Sequence, residues 1–156
     1  MNEIVQCARL VAIHLAATSG APMTSEATAE AVVGMGLRGD RFFRDAPGDQ
    51  ASEGQEVTLI EREAIDRAAE EAGVDFQSRD SRRNLVTAGV RLNELVGREF
   101  AIGGVRMRGV ALCEPCSHLV RLSGKRVLRS LVHHGGLRAV IVLGGSISVG
   151  DTVTPA

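Results

Sequence analysis

Tryptophan and tyrosine are absent from this 156-residue chain, and only four phenylalanines stand in for them. A single-stranded nucleic-acid platform needs aromatic faces on which bases stack, so that function class is excluded at the outset. Lysine is nearly absent too: of 18 basic residues only Lys125 is not arginine. This reflects either a compositional bias or recognition of anions, whose oxygens the guanidinium fork matches better than an ammonium does. Three cysteines are too few for a disulfide framework and leave at least one thiol free, which suits a reducing cytoplasm. The apolar run Leu10–Ala17 is short, contains His14 and lacks a charged leader. It reads as a strand, not as a signal peptide or membrane span. A net charge of -1 gives no bulk attraction to nucleic acid or to anionic membrane.

The length and ordinary composition predict a single domain over residues 1–156 with a self-sufficient core. Val57–Ile60 reads as a strand. From Glu61 to Ala72 the residues Ile65, Ala68, Ala69 and Ala72 share one helical face that ends at Gly73. Short apolar segments follow at 84–90 and 92–96. Phe100–Ile102, Gly103-Gly104 and Val105–Val110 form a hairpin pattern with Arg106 and Arg108 on one face. Val127–Val132 suggests a short helix stopped at His133-His134-Gly135-Gly136, and 139–149 suggests a second hairpin around Gly144-Gly145. Asp45–Asp49 is dense in turn formers and reads as a rim loop. Many short strands, glycine turns and few helices predict a mainly β fold with short helices, closed or partly closed into a β-barrel.

Chemistry concentrates in Leu112-Cys113-Glu114-Pro115-Cys116-Ser117-His118. Pro115 suits the first position of a helix, which puts Cys116 in the first turn, where free N–H groups and the helix dipole favour a thiolate. The thiolate is the form that attacks sulfur and binds metals. Cys113 is placed to resolve a persulfide or sulfenate on Cys116. Either thiol could instead be a small buried hydrophobe, or the pair could hold zinc with His118 and His133 or His134, making a non-catalytic binding module. Arg82-Arg83-Asn84 is a candidate anion clamp, or else a solvated loop paired to Asp80 or a glutamate. Asp40-Arg41, after Gly39, is either part of the same mouth or an ion pair that fixes the turn. His134 is a weaker candidate, since histidines also suit helix ends.

Gly36-Leu37-Arg38-Gly39-Asp40-Arg41, Arg82-Arg83-Asn84-Leu85-Val86, Leu95-Val96-Gly97, Pro115-Cys116, Gly136-Leu137-Arg138-Ala139 and Gly150-Asp151, in that order, resemble the MOSC domain of molybdenum cofactor sulfurases and stand-alone bacterial proteins. The resemblance runs from about Val11 to Val153. It implies a pyruvate-kinase-like β-barrel, with Cys116 carrying sulfur or ligating molybdenum. It also implies a molybdenum cofactor (molybdopterin) whose phosphate is held by Arg83 and Asn84, with Arg82, Arg41, Asp40 and His134 nearby. The family is further associated with pyridoxal phosphate and metal binding. Either sulfur transfer or molybdenum-dependent reduction would follow. The partners it implies are the pterin and a sulfur donor or acceptor protein such as a cysteine desulfurase, with no nucleic acid and no membrane. Larger relatives carry an additional N-terminal domain, so the bare domain is expected to retain its cofactor less tightly.

Overall fold

The computed structural model describes residues 8–44, 56–114, 131 and 133–155. Eleven strands and one α-helix are found among them: β1 (Arg9–Leu15), β2 (Thr24–Glu26), β3 (Thr28–Val32), β4 (Gly36–Leu37), β5 (Val57–Glu61), α1 (Arg62–Ala72), β6 (Leu85–Ala88), β7 (Glu99–Ile102), β8 (Val105–Leu112), β9 (Leu137–Leu143), β10 (Gly145–Ser148) and β11 (Val153–Pro155). Two 3₁₀ turns, Ser78–Ser81 and Leu92–Leu95, flank β6.

The larger sheet has eight strands in the order β11-β7-β8-β9-β5-β6-β1-β2, and the smaller has three, β10-β3-β4. β5 and β6 run parallel, which requires a crossover, and α1 supplies it. Both faces of these two strands are therefore covered, and their apolar runs are buried almost throughout. Leu59 and Leu85 join the main core with Leu10, Phe100, Met107 and Leu137. Ile60 and Val86 pack on the opposite side against Ile65, Ala68 and Phe76. The helix keeps the face expected from its periodicity and stops at Gly73, whose left-handed backbone (φ 66°) caps it.

Two expectations change. The second hairpin does not form: β10 leaves β9 and pairs with β3, Gly145 opposite Ala31 and Ser148 opposite Thr28. Gly144 makes that crossing possible, because a Cβ there would lie 2.6 Å from the Ala31 carbonyl oxygen. A glycine pair in sequence thus marks a change of sheet, not a turn. The mainly β class holds, but among the described residues the sheets are not closed into a barrel. β11 is only three residues long and gives its ladder to β7. It meets β1 at the single bridge Arg9↔Thr152, with Leu10 N–H donating to Asp151 O at 2.8 Å beside it. The Gly103-Gly104 hairpin between β7 and β8 forms as expected, with Arg106 and Arg108 exposed on one face. The Asp45–Asp49 loop, the Pro115-Cys116 helix start and, apart from the buried Leu131, the 127–132 helix lie outside the described residues.

Among the described residues no helix is long and apolar enough to cross a membrane.

Gly136 is the tightest point in this framework. It adopts φ +119°, and a Cβ would stand 2.1 Å from the Leu59 carbonyl oxygen on the neighbouring strand. Neither the backbone region nor the space admits a side chain. Gly136→Ala is expected to cost at least about 2 kcal/mol, combining strain with displacement of β9 from β5. Urea unfolding followed by circular dichroism, which does not depend on the missing tryptophan, checks this; an unchanged midpoint would show that the strands separate freely at this point.

Candidate functional site

The site is built where the chain enters β6 and where β8 leaves the sheet. The 3₁₀ turn Ser78–Ser81 ends at Arg82, which takes a left-handed conformation at φ 59°. Among the described residues only Arg82 and His133 (φ 64°) combine a side chain with positive φ. Such conformations cost about 1–3 kcal/mol and persist where surroundings over-determine them. The turn is held by Ser81 Oγ donating to the Ser78 carbonyl at 2.6 Å and by the Asp80 carboxylate accepting the Gln77 N–H at 2.9 Å.

Asn84, expected at the cofactor, is turned inward instead. It is fully buried. Its Oδ1 accepts from Thr58 N–H (3.1 Å) and Thr58 Oγ1 (3.2 Å), and its Nδ2 donates to the His14 carbonyl at 3.2 Å. It therefore braces β5 and β1 against the entry to β6. An amide reads identically in sequence whether it faces a ligand or the interior. Asp40 is a brace as well: Oδ1 accepts Ala16 N–H at 3.1 Å and Oδ2 accepts Phe42 N–H at 3.2 Å. Of its two sequence readings, the ion pair that fixes the turn is the one the contacts match.

Arg41, Arg82 and Arg83 converge as a group. Arg41 donates through Nη1 to Asp40 Oδ1 at 3.2 Å and through Nη2 to the Arg82 carbonyl at 2.8 Å, with its guanidinium over the Phe42 ring, 4.4 Å from the centroid. Arg82 is only 8% exposed, and among the described residues its guanidinium has no hydrogen-bond partner. Burial is the main cause lowering the pKa of both Arg41 and Arg82. Asp40 opposes that shift in each, and Arg82 and Arg83 add repulsion at Arg41. Asp40 thus faces both Arg41 and Arg82, with the Arg83 charge close enough to repel Arg41, and arginine does not shed its proton in a protein.

Arg83 reaches the other way. Its Nε donates to Gly135 O at 2.7 Å and its Nη2 to the carbonyls of Cys113 (3.4 Å) and Glu114 (3.5 Å). Its contacts therefore tie the start of β6 to the end of β8 and the start of β9. Cys113 is a free thiol, 7% exposed, with its N–H donating to Gly136 O at 2.8 Å. Cys116 and His118 lie outside the described residues. His134 stands apart from the arginines: it is exposed and faces a cleft with Glu61 and Arg67. Among the described residues no three His, Cys, Asp or Glu side chains are grouped to hold a metal.

Sequence reasoning missed His14. It is 3% exposed, with Nε2 2.9 Å from Ser78 Oγ and Nδ1 3.1 Å from Ser25 Oγ, so it links β1 and β2 to the turn that presents Arg82. The signal was faint, a histidine in an apolar strand with no nearby motif.

This arrangement defines a small β-sheet domain with a guanidinium-rich mouth beside a thiol-bearing strand end. The chain belongs to the MOSC domain family, whose model matches residues 46–154. In fold it is similar to the YuaD protein of Bacillus subtilis, with a TM-score of 0.78 and 16% identity over 95% of this chain and 94% of that one. It is also similar to YiiM from Geobacillus stearothermophilus, with a TM-score of 0.73 and 15% identity over 96% and 75% of the two chains. YiiM from Escherichia coli gives a TM-score of 0.65 at 16% identity over 95% and 69%. No curated protein matches the sequence.

His14 supplies a pH test of the scaffold. Burial, assisted by the nearby positive charge of Arg79, lowers its pKa in the folded state below the usual 6.5. The unfolded chain therefore binds the proton more readily. The His14 contribution to stability is present above about pH 6.5 and is lost as pH falls through the depressed folded value. Denaturant midpoints should fall more steeply on acidification in the wild type than in His14→Gln; parallel pH profiles would show that the imidazole is not the titrating group.

Proposed function

We propose that this MOSC-domain chain handles sulfur and binds an anionic pterin, the molybdenum cofactor, at the arginine mouth. One observation carries the reading: Arg82, 8% exposed as a whole residue and with no guanidinium hydrogen bond to the described residues, sits in a group whose positive charge exceeds that of its one carboxylate. A phosphate group would complete such a site, because charge-assisted bonds to guanidinium are worth about 1.5–3 kcal/mol each. The residues thus fit the phosphate of the cofactor. Arg82 would hold it, with Arg41 behind it fixed on Asp40 and the Arg82 carbonyl, and Arg83 would anchor the adjacent strand ends. Asn84 and Asp40 would act by fixing those arginines and not by touching the ligand. When bound, the cofactor supplies a redox-active metal that a soft thiolate can ligate.

Cys116 is the proposed reactive sulfur, with Cys113 as the buried neighbour that supports the strand end. As a sulfur carrier, the Cys116 thiolate attacks the terminal sulfur of a donor persulfide. A new S–S bond forms on Cys116 as the donor S–S bond breaks, and the donor departs as a thiolate. A cysteine desulfurase in a reducing cytoplasm is the type of donor this requires.

The test is intact-protein and peptide mass spectrometry after incubation with a small-molecule persulfide, with and without reductant. The reading predicts one reductant-labile sulfur on Cys116 in the wild type and in Cys113→Ser, and none at that peptide in Cys116→Ser. Undiminished sulfur uptake by a correctly folded Cys116→Ser protein would refute it.

A further inference from the structure

A second polar cleft, separate from the arginine mouth, opens between the start of α1 and the segment after β6. Its volume is about 400 Å³, within the range of small-molecule sites, and its lining is Glu61, Arg67, Arg91, Asn93, Glu94 and His134. Some of this lining is already committed. Arg91 pairs with Glu94 at 3.8 Å, and Asn93 Nδ2 donates to the His133 carbonyl at 2.8 Å.

Glu61 and Arg67 remain. Glu61 is the last residue of β5 and occupies the N-cap position of α1, yet its side chain makes no capping hydrogen bond. It is partly buried, and Oε2 accepts the Leu92 N–H at 3.2 Å, which leaves Oε1 without a hydrogen-bond donor among the described residues. Burial raises its pKa, while the more distant charges of His134 and Arg67 oppose the shift. Arg67 lies a turn and a half further along α1 and, among the described residues, forms no ion pair within 4.0 Å. An acid and a base therefore line one cleft without touching each other.

We propose that this cleft binds a small zwitterion of the α-amino-acid class, its ammonium on the Glu61 carboxylate and its carboxylate on the Arg67 guanidinium. Two opposite charges held apart select a ligand carrying both complements, and a simple anion or cation would satisfy only one. Asn93 Oδ1 and the His134 imidazole remain to line the ligand's side chain. The inference makes no use of Cys116 or of the arginine mouth, so it stands or falls separately from the proposed sulfur chemistry.

Calorimetric titration of the full chain with L-glutamine, N-acetyl-L-glutamine and L-glutaminamide tests it. The parent amino acid should bind, and each blocked form should bind at least about tenfold more weakly, the loss of one charge-assisted contact. In Glu61→Gln, where the acceptor to Leu92 N–H is kept, L-glutamine should lose its advantage over the N-acetyl form. In Arg67→Gln, an exposed helix position, it should lose its advantage over the amide. Equal affinity of all three compounds for the wild type, or no saturation by L-glutamine up to about 10 mM, would overturn the proposal.

Discussion

Arg41 connects two separated parts of the chain through one buried carboxylate and one carbonyl, and the mouth depends on that connection. Asp40 is fixed by two backbone N–H donors from Ala16 and Phe42. It directs Arg41, which in turn clamps the Arg82 carbonyl and so holds the left-handed residue that begins the Arg82-Arg83-Asn84 segment. Removing one member of a buried charged pair typically costs about 3–5 kcal/mol, because the other is left uncompensated. The pair therefore has a structural task, and the excess charge from Arg82 is what the fold leaves available.

The three residues of that segment point to three different places. Asn84 goes into the interior and joins β1 to β5, Arg83 crosses to the carbonyls at the end of β8, and Arg82 stays at the mouth without a hydrogen-bond partner among the described residues. A left-handed residue directly before an extended strand makes this divergence possible, since it breaks the alternation that would otherwise apply. The crowded Gly136 completes the arrangement by bringing β9 against Leu59 while leaving Arg83 Nε 3.6 Å from where its Cβ would be.

Much of the fold was legible where period and punctuation agree. The 3.6-residue spacing of Ile65, Ala68, Ala69 and Ala72 identified α1 and its buried face, and alternation with a glycine pair identified the β7–β8 hairpin. The same cue misled at Gly144-Gly145, because sequence cannot distinguish a glycine needed for a turn from one needed for close approach to Ala31. At the site, the resemblance singled out segments that the fold brings together, but not the direction of each side chain. Asn84, read as a ligand contact, is an interior brace, and of the two readings of Asp40 the contacts match the ion pair that fixes the turn. His14 and Glu61 carry no local motif: each became visible only when distant segments, Ser78 for one and Leu92 for the other, were brought beside them.

The central claim is that the arginine mouth holds more positive charge than its own carboxylate balances and therefore takes a phosphate. Calorimetric titration of pyrophosphate into the wild type and Arg82→Met, at two salt concentrations, tests it most directly. The account predicts saturable binding in the wild type that weakens with salt, and a loss of about tenfold or more in Arg82→Met, consistent with one charge-assisted contact. Equal affinity of the two proteins would contradict it.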